Sequence, residues 1–283
     1  MWSQAELLRL LDVQPRAGGR YLAPAHGPTE RNVVEAGQLL GSAVVAAAKQ
    51  VPHQRVVSAS MIFSRAAEHT APISLEVEVL RGGRTFSSAQ VRAHQHDALC
   101  SAGLVLLDAE APDLIRSAAP GPDVDPPDRL RSHDLPGTVV AGRDIRVVDD
   151  AYTDEAARIG PPELFVWTRF QDKPEHQYLH AALLTQSTTH WTVAAALRPH
   201  AELSQSMAHH SISTGITMAT ITFHDVADVT QWLLYATRVT YAGRGHAQSE
   251  GRVYTEAGSL VASYAVHAMV RVFDRPQPAR TVL

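Results

Sequence analysis

The chain has few of the residues that indicate secretion, membrane insertion or nucleic-acid binding. Cysteine occurs once in 283 residues, at Cys100, so an intramolecular disulfide is excluded. No stretch approaches the roughly 20 apolar residues of a membrane-spanning helix, and the amino terminus lacks a signal-peptide pattern. The net charge is −4, so there is no basic field for nucleic acid. We therefore expect a cytoplasmic protein that neither binds nucleic acid nor inserts into a membrane.

Several catalytic motifs are also missing. The sequence contains no phosphate-binding G-x-x-x-x-G-K-[ST] loop, no dinucleotide-binding G-x-G-x-x-G before a helix and no G-x-S-x-G nucleophile elbow. Among its 15 histidines, the clusters His94-Gln95-His96-Asp97 and His209-His210 have neither helical nor CxxC-type ligand spacing, so we expect neither a metal nor a cofactor. Cys100 lies in a strand-like apolar run, where a small buried residue is the simpler interpretation than a nucleophile.

Two halves of the chain resemble each other. Gln38 and Gln186 each lie seven residues before a Val-Ala-Ala-Ala segment, and each segment is followed by a Pro-His pair, at Pro52 and Pro199. Proline cannot continue a helix, so both segments are predicted to be helices that end there. Alternating apolar residues and Gly-containing turns then predict three antiparallel strands in each half, with strands near 75–80, 85–94, 99–107, 232–241, 246–254 and 259–272.

A proline-rich segment separates the halves. Residues 109–136 contain six prolines among Asp and Arg, a composition typical of an extended surface connector. The predicted division is an N-terminal domain at 1–108, a linker at 109–136 and a C-terminal domain at 137–283. In the strand-like stretch 211–224 the apolar residues change parity, which predicts a β-bulge near Ala219.

The helix predicted from about Glu175 to Leu197 carries six consecutive polar side chains, Thr185–His190, and no carboxylate among them. Gln186 and His190 fall on the apolar stripe of this helix, where groups without partners would cost about 1–3 kcal/mol each. One interpretation is that a ligand or an ordered water is their partner. The other is that Ser and Thr hydroxyls bond to carbonyls of the preceding turn and a neighbouring residue satisfies the histidine.

The sequence resembles the type II acyl-CoA thioesterases over nearly its full length. The most specific segments are EAGQLLGSAVVAAAKQVP, QWLLYATRVTYAGRG and VYTEAGSLVASYAVHAMVR. The resemblance implies an α+β double hotdog fold, in which each of two fused domains wraps an antiparallel sheet around a long helix. It also implies hydrolysis of fatty acyl-CoA to a free acid and coenzyme A by activated water, with no cofactor, in a homo-oligomer.

The catalytic positions of that family are not retained. The resemblance places its aspartate, threonine and glutamine at Thr189, Ile216 and Val266. A threonine hydroxyl cannot act as a general base near neutral pH, and valine cannot hold a water. The sequence therefore leaves open whether neighbouring residues have taken over the chemistry or the reaction has been lost.

This departure from the family pattern allows three hypotheses. In the first, His190 or His267 is the base, while Thr189, Gln186 and Thr217 position the water or the carbonyl. His267 next to Val266 would face the opposite side of a strand, so this hypothesis requires a shift of one residue. In the second, the protein binds an acyl-CoA or another acyl thioester without cleaving it.

The third hypothesis places chemistry in the first half, at Glu35 ahead of the first long helix. Its simpler alternative is that an acidic residue at a helix amino end complements the helix dipole. For contacts with the ligand, the candidates are Arg244 and Arg238, since arginine can bind phosphate bidentately, together with Gln38. A solvated arginine in a hairpin turn is the alternative for Arg244.

Overall fold

The computed structural model describes residues 2–27, 32–133, 140–152, 155 and 158–273. Its helices are α1 Gln4–Leu11, α2 Ala36–Gln50, α3 Gln177–Ser187 and α4 Thr192–Leu197. Its strands are β1 Trp2–Ser3, β2 Gln14–Arg16, β3 Arg20–Ala23, β4 Arg55–Phe63, β5 Ile73–Arg81, β6 Phe86–Gln95, β7 Ala98–Asp108, β8 Val140–Ala141, β9 Arg143–Val147, β10 Glu163–Phe170, β11 Ile212–Phe223, β12 Leu233–Gly243, β13 His246–Thr255 and β14 Leu260–Val272.

One sheet of twelve strands runs through both halves. Its order is β2-β3-β5-β6-β7-β4-β11-β14-β13-β12-β10-β9, and the halves join where β4 pairs antiparallel with β11. Each half contributes a long helix that comes after its first strands. A separate parallel pair, β1 with β8, connects the amino terminus to the second half. The architecture is the predicted pair of fused hotdog domains.

The two long helices pack tightly against each other on one face of the sheet. A Cβ placed on Gly37 would lie 2.4 Å from the carbonyl oxygen of Gln186, and one on Gly41 would lie 2.9 Å from that of Ala182. Residues later in α2 therefore contact residues earlier in α3, so the two helices are antiparallel. A single hydrophobic cluster spans both halves, with Leu40, Val44, Leu183 and Tyr235 among its members.

The predicted hairpins are confirmed, with strand ends within three residues of those expected. The turn between β6 and β7 places His96 and Asp97 at positive φ. The turn between β12 and β13 does the same for Arg244, with Gly243 and Gly245 on either side. The residue at Cys100 is buried as expected, and burial raises the pKa of its thiol.

The predicted bulge in β11 exists, two residues earlier than expected. The pairing with β14 shifts register between Ile216 and Met218, so Thr217 is the extra residue. Ala219 and Ile221 consequently face the core, where both are buried, while Met218 is exposed. This bulge explains why the apolar residues of 211–224 change parity.

The single helix predicted for 175–197 is wrong, because the chain breaks at Thr188–Trp191 into α3 and α4. Hydroxyl groups of Thr185 and Thr188 donate to the carbonyls of Ala181 and Thr185, both at 2.7 Å. Such bonds compete with the helix ladder and bend it. The helix resumes when the amide of Ala195 donates to the carbonyl of Trp191.

The proline-rich connector crosses the outer face of the second half, opposite the helices. The hydroxyl of Tyr254 donates to the carbonyl of Pro120, and the indole of Trp167 donates to that of Asp125. The domain division at 108 and 136 remains a prediction, and residues 134–139 lie outside the described part of the chain. Among the described residues, no helix combines the length and the apolarity needed to span a bilayer.

Candidate functional site

The four hydroxyls of the polar segment are satisfied by carbonyl groups of the same stretch of chain. Thr185, Ser187, Thr188 and Thr189 each donate to a carbonyl three or four residues earlier, at 2.7, 3.3, 2.7 and 3.5 Å. These four residues are also buried. For the hydroxyls, local satisfaction is therefore the correct interpretation, and they require no ligand.

Gln186 and His190 instead reach across to the first half of the chain. The amide nitrogen of Gln186 donates to Oε2 of Glu35 at 2.8 Å, and Nε2 of His190 lies 3.2 Å from the same oxygen. Glu35 occupies the N-cap position of α2, yet its side chain makes no capping hydrogen bond. The carboxylate of Glu35 instead contacts Gln186 and His190 of the other half of the chain. A role in complementing the helix dipole would not require these contacts.

A buried guanidinium lies behind this contact. Arg143, at the start of β9, donates from Nη1 to Oε1 of Gln186 at 3.1 Å and to Oγ of Ser187 at 3.5 Å. An arginine only donates, so the oxygen of the Gln186 amide faces Arg143 and its nitrogen faces Glu35. The four side chains form one chain of contacts that joins the two halves: Glu35, Arg143, Gln186 and His190.

The charges in this cluster stabilise one another. Burial alone would raise the pKa of Glu35, but the His190 charge and hydrogen bond, with Arg143 and Gln186, outweigh it and hold that pKa at about 2. Burial lowers the pKa of Arg143 to about 10, so the guanidinium remains charged near neutral pH. The cluster thus contains one carboxylate and one guanidinium, both ionised, beside an imidazole.

The cluster is partly open to solvent at one end. The side chain of Glu35 keeps 30% of its exposure, whereas that of His190 keeps 6%. Nδ1 of His190 is shielded from solvent and has no hydrogen-bond partner among the described residues. The ring packs edge-on against Trp191, with centroids 5.5 Å apart.

Thr189, to which the resemblance assigns the family's aspartate, lies at the contact between the helices. A Cβ on Gly37 would come within 2.6 Å of its Oγ1. Its hydroxyl is buried and donates weakly to the carbonyl of Gln186. The structure places Thr189 beside Gln186 and His190, as the sequence predicts, in a packing contact.

Thr217 and His267 are brought together, but on the opposite face of the sheet. Oγ1 of Thr217 lies 2.6 Å from Nδ1 of His267, whose ring stacks on His246 at 4.8 Å. The neighbours of His267 along the strand, Val266 and Ala268, are buried in the core beneath the helices. Because side chains alternate along a strand, His267 faces away from the helices and from His190.

The three predicted ligand-contacting residues occupy different places. Gln38 is buried in the first turn of α2, three residues after Glu35. Arg238 lies on β12, where it pairs with Glu163 at 2.9 Å and stays largely exposed. Arg244 is exposed at the tip of the β12–β13 hairpin.

A groove of about 810 Å³ lies on the outer face of the second half, between the sheet and the connector. Its wall includes Pro120 and Pro122, and its floor includes Thr220, Thr222 and Arg238. None of the polar cluster at the helix break lines it. Arg238 therefore belongs to this groove and not to the cluster.

Sequence reasoning does not identify Arg143 as a member of the cluster and does not connect Glu35 with His190. Arg143 belongs to no element predicted from the sequence, and nothing in the sequence indicates that its partner is an amide 43 residues away. Glu35 enters only as a separate hypothesis, since its distance of 155 residues from His190 hides the contact.

Comparisons with known proteins agree with this architecture. A family model described as the acyl-CoA thioesterase N-terminal domain matches residues 25–107, and one described as the C-terminal domain matches residues 118–270. Acyl-coenzyme A thioesterase 8 of Homo sapiens is 25% identical over 274 residues, which cover 87% of this chain and 82% of that protein.

Solved structures share the fold. A tesB protein from Mycobacterium avium subs paratuberculosis superimposes with a TM-score of 0.77 at 20% identity, covering 95% of this chain and 99% of that one. A protein of unknown function with a hot dog fold from Alicyclobacillus acidocaldarius gives a TM-score of 0.75 at 17% identity, covering 94% and 98%.

Proposed function

The chain belongs to the acyl-CoA thioesterase family, whose two domain models together match most of its length, and on this basis we propose that it hydrolyses acyl-CoA. The products are a free acid and coenzyme A, and the reaction takes place where the helix break of the second half meets the start of α2. The supporting observation is the cluster of Glu35, Arg143, Gln186 and His190, which places an imidazole and an oriented amide together at the domain interface.

The chemistry depends on what each group can do. Water must lose a proton as it attacks a thioester carbonyl, and an imidazole is a competent base near neutral pH. Gln186 orients the water or the carbonyl, and Thr189 shapes the wall beside it. Thr217 and His267 form a separate pair on the other face, so we assign the proton transfer to His190.

Coenzyme A would be held through its phosphates by arginine. Arg244 presents an exposed guanidinium between two glycines, which leaves its turn accessible to an anion. Arg238 would have to exchange Glu163 for a phosphate. Gln38, in the first turn of α2, would contact the acyl or pantetheine part near Glu35.

We also propose a homo-oligomer in the cytoplasm. Exposed apolar side chains lie on the outer face at the centre of the sheet, on three adjacent strands: Ile62 of β4, Leu104 and Leu106 of β7, and Met218 of β11. Burying such a patch against a second copy would be favourable. Sedimentation of the purified chain would test this association.

The alternative function is that of a module that binds acyl-CoA without cleaving it. What favours it is that the resemblance assigns the family's aspartate, threonine and glutamine to Thr189, Ile216 and Val266 in this chain. At the family's catalytic positions, the apolar side chains of Ile216 and Val266 would not hold a water.

A panel of acyl-CoAs of increasing chain length separates the two functions. Release of free thiol is monitored by colour, and binding of the same compounds is measured by titration calorimetry. Hydrolysis predicts turnover that falls about 10²–10⁴-fold in His190→Ala. Binding at every chain length with no turnover above background would instead support the binding module.

A further inference from the structure

We propose that Glu35 and His190 form a carboxylate–imidazole pair across the two domains, in which Glu35 is a positioning residue and Nδ1 of His190 removes the proton from water. This inference rests on the proposed hydrolysis of acyl-CoA. It assigns a role to a side chain of the first half, whereas the family resemblance implied an aspartate on the second helix.

The donors and acceptors of the cluster determine which nitrogen of His190 is protonated. The carboxylate of Glu35 only accepts hydrogen bonds, so Nε2 of His190 carries the hydrogen that points to Oε2 at 3.2 Å. The amide nitrogen of Gln186, which only donates and which Arg143 turns toward Glu35, also lies 3.2 Å from Nε2 of His190. A hydrogen bond from Nε2 to the ionised carboxylate is the stronger of the two possible bonds, so it decides the tautomer. In the neutral ring, the free lone pair is therefore on Nδ1.

Nδ1 of His190 has no hydrogen-bond partner in the described part of the chain. It is buried, in a side chain that keeps only 6% of its exposure, and no donor from the described residues reaches it. A buried acceptor without a donor is unfavourable unless a water or a ligand completes it. In our proposal, the reacting water lies at Nδ1.

The charges fit this division of roles. With its pKa held at about 2, Glu35 is too weak a base to take the proton itself near neutral pH, but its negative charge favours the imidazolium that forms. Arg143 is the other charged group of the cluster, and Tyr235 is the titratable group beside Arg143. Trp191 contributes an apolar wall against the ring.

The reaction balances without a further reactant. The water oxygen bonds to the thioester carbon, the carbonyl π electrons move to the carbonyl oxygen, and the water proton goes to Nδ1 of His190. When the carbonyl re-forms, the carbon–sulfur bond breaks. The leaving sulfur takes the proton from Nδ1, so the products are the acid and the free thiol, with His190 neutral again.

The test uses Glu35→Gln and Glu35→Asp in the full-length chain, with Asp108→Asn as the matched control. Asp108 also accepts from an arginine, Arg55, but lies outside the cluster. Thermal unfolding verifies that each variant folds. We expect Glu35→Gln to lower kcat by about 10²–10⁴-fold with little change in KM, because the amide can turn its own donor toward the ring.

Three further results distinguish positioning from mere structure. The acid limb of the rate profile should move to lower pH in Glu35→Gln, because the imidazolium loses its charged partner. Glu35→Asp should recover part of the rate, and adding His190→Ala to Glu35→Gln should lower it no further. Full activity in Glu35→Gln would overturn the proposal, and so would an active His190→Ala beside an inactive Glu35→Gln.

A readout independent of turnover separates this inference from the proposed function. Nitrogen-15 NMR of labelled histidine, assigned by comparison with His190→Gln, reports which ring nitrogen carries hydrogen. We expect the Nε2–H form in the wild type and its loss in Glu35→Gln. An Nδ1–H form in the wild type would refute the pairing, whereas wild-type Nε2–H without turnover would refute only the hydrolysis.

Discussion

Replacing Gly37 with alanine would perturb the site by disturbing the close contact between α2 and the end of α3. The added Cβ would lie 2.4 Å from the carbonyl oxygen of Gln186 and 2.6 Å from Oγ1 of Thr189, whereas ordinary contact begins at 3.4 Å. The start of α2 must therefore move by about 1 Å, and such overpacking costs about 1–3 kcal/mol. Alanine returns less than about 1 kcal/mol through helix propensity.

The expected net loss of about 1–2 kcal/mol corresponds to a melting temperature lower by roughly 2–8 °C. The loss in activity should be larger, because Glu35 moves with the helix start and a shift of about 1 Å at a reacting group can cost 10²-fold. Thermal unfolding and thiol release from acyl-CoA, measured on the same preparation, provide both numbers.

Two glycines serve as controls. Gly41→Ala strains the same helix pair against Ala182 and Leu11, both at 2.9 Å, but one turn farther from the cluster. We expect it to lower stability while retaining activity within about threefold. Gly215→Ala meets no atom within 4 Å and should change neither. A Gly37→Ala enzyme that is destabilised yet fully active would refute the link between helix contact and catalysis.

Substitutions at three other residues, Arg143, His180 and Glu35, test separate features of the structure. Arg143→Met should lower activity about tenfold or more, because the Gln186 amide is no longer oriented. It should also lower the free energy of unfolding by about 1–3 kcal/mol, because the amide oxygen loses its donor. Arg143→Lys retains the charge, so its kcat should lie between those of the wild type and Arg143→Met. Burial lowers the pKa of His180, whose Nδ1 accepts from the amide of Val229. This histidine therefore contributes stability that is lost as pH falls below its pKa in the unfolded chain, near 6.5. The fall in melting temperature between pH 7 and 5 should be smaller in His180→Gln, and an equal fall would contradict this. Because the pKa of Glu35 is lowered in the folded chain, its contribution is present above its unfolded pKa and disappears toward pH 2; urea unfolding should show Glu35→Gln less stable than wild type at pH 7 and similar near pH 2–3.

The strands and the duplicated plan could be predicted because they depend on local signals. Alternation of apolar residues sets which face of a strand is buried, and the glycines near Arg244 determine the hairpin turn. Even the bulge at Thr217 left a trace, since the parity of Ile216 and Ile221 differs. Each of these features involves residues close together in the sequence.

The site could be predicted only in part, because its geometry depends on contacts between distant residues. Gln186 and His190 can be recognised as polar groups on an apolar stripe, but the stripe assumes an unbroken helix. The hydroxyl bonds of Thr185 and Thr188 break that helix and turn the chain, so spacing alone misplaces the residues after the break. Glu35 and Arg143 are brought to the site by the antiparallel packing of α2 on α3 and by the edge of the sheet.

The most direct test of the central claim is a crystal structure with an acyl-CoA analogue that carries a methylene between its carbonyl and its sulfur, so that it cannot be hydrolysed. The account predicts that the analogue's carbonyl carbon lies beside the helix break, with one water between it and Nδ1 of His190 at hydrogen-bond distance. A carbonyl bound in the groove on the outer face, with His190 still closed off, would contradict it.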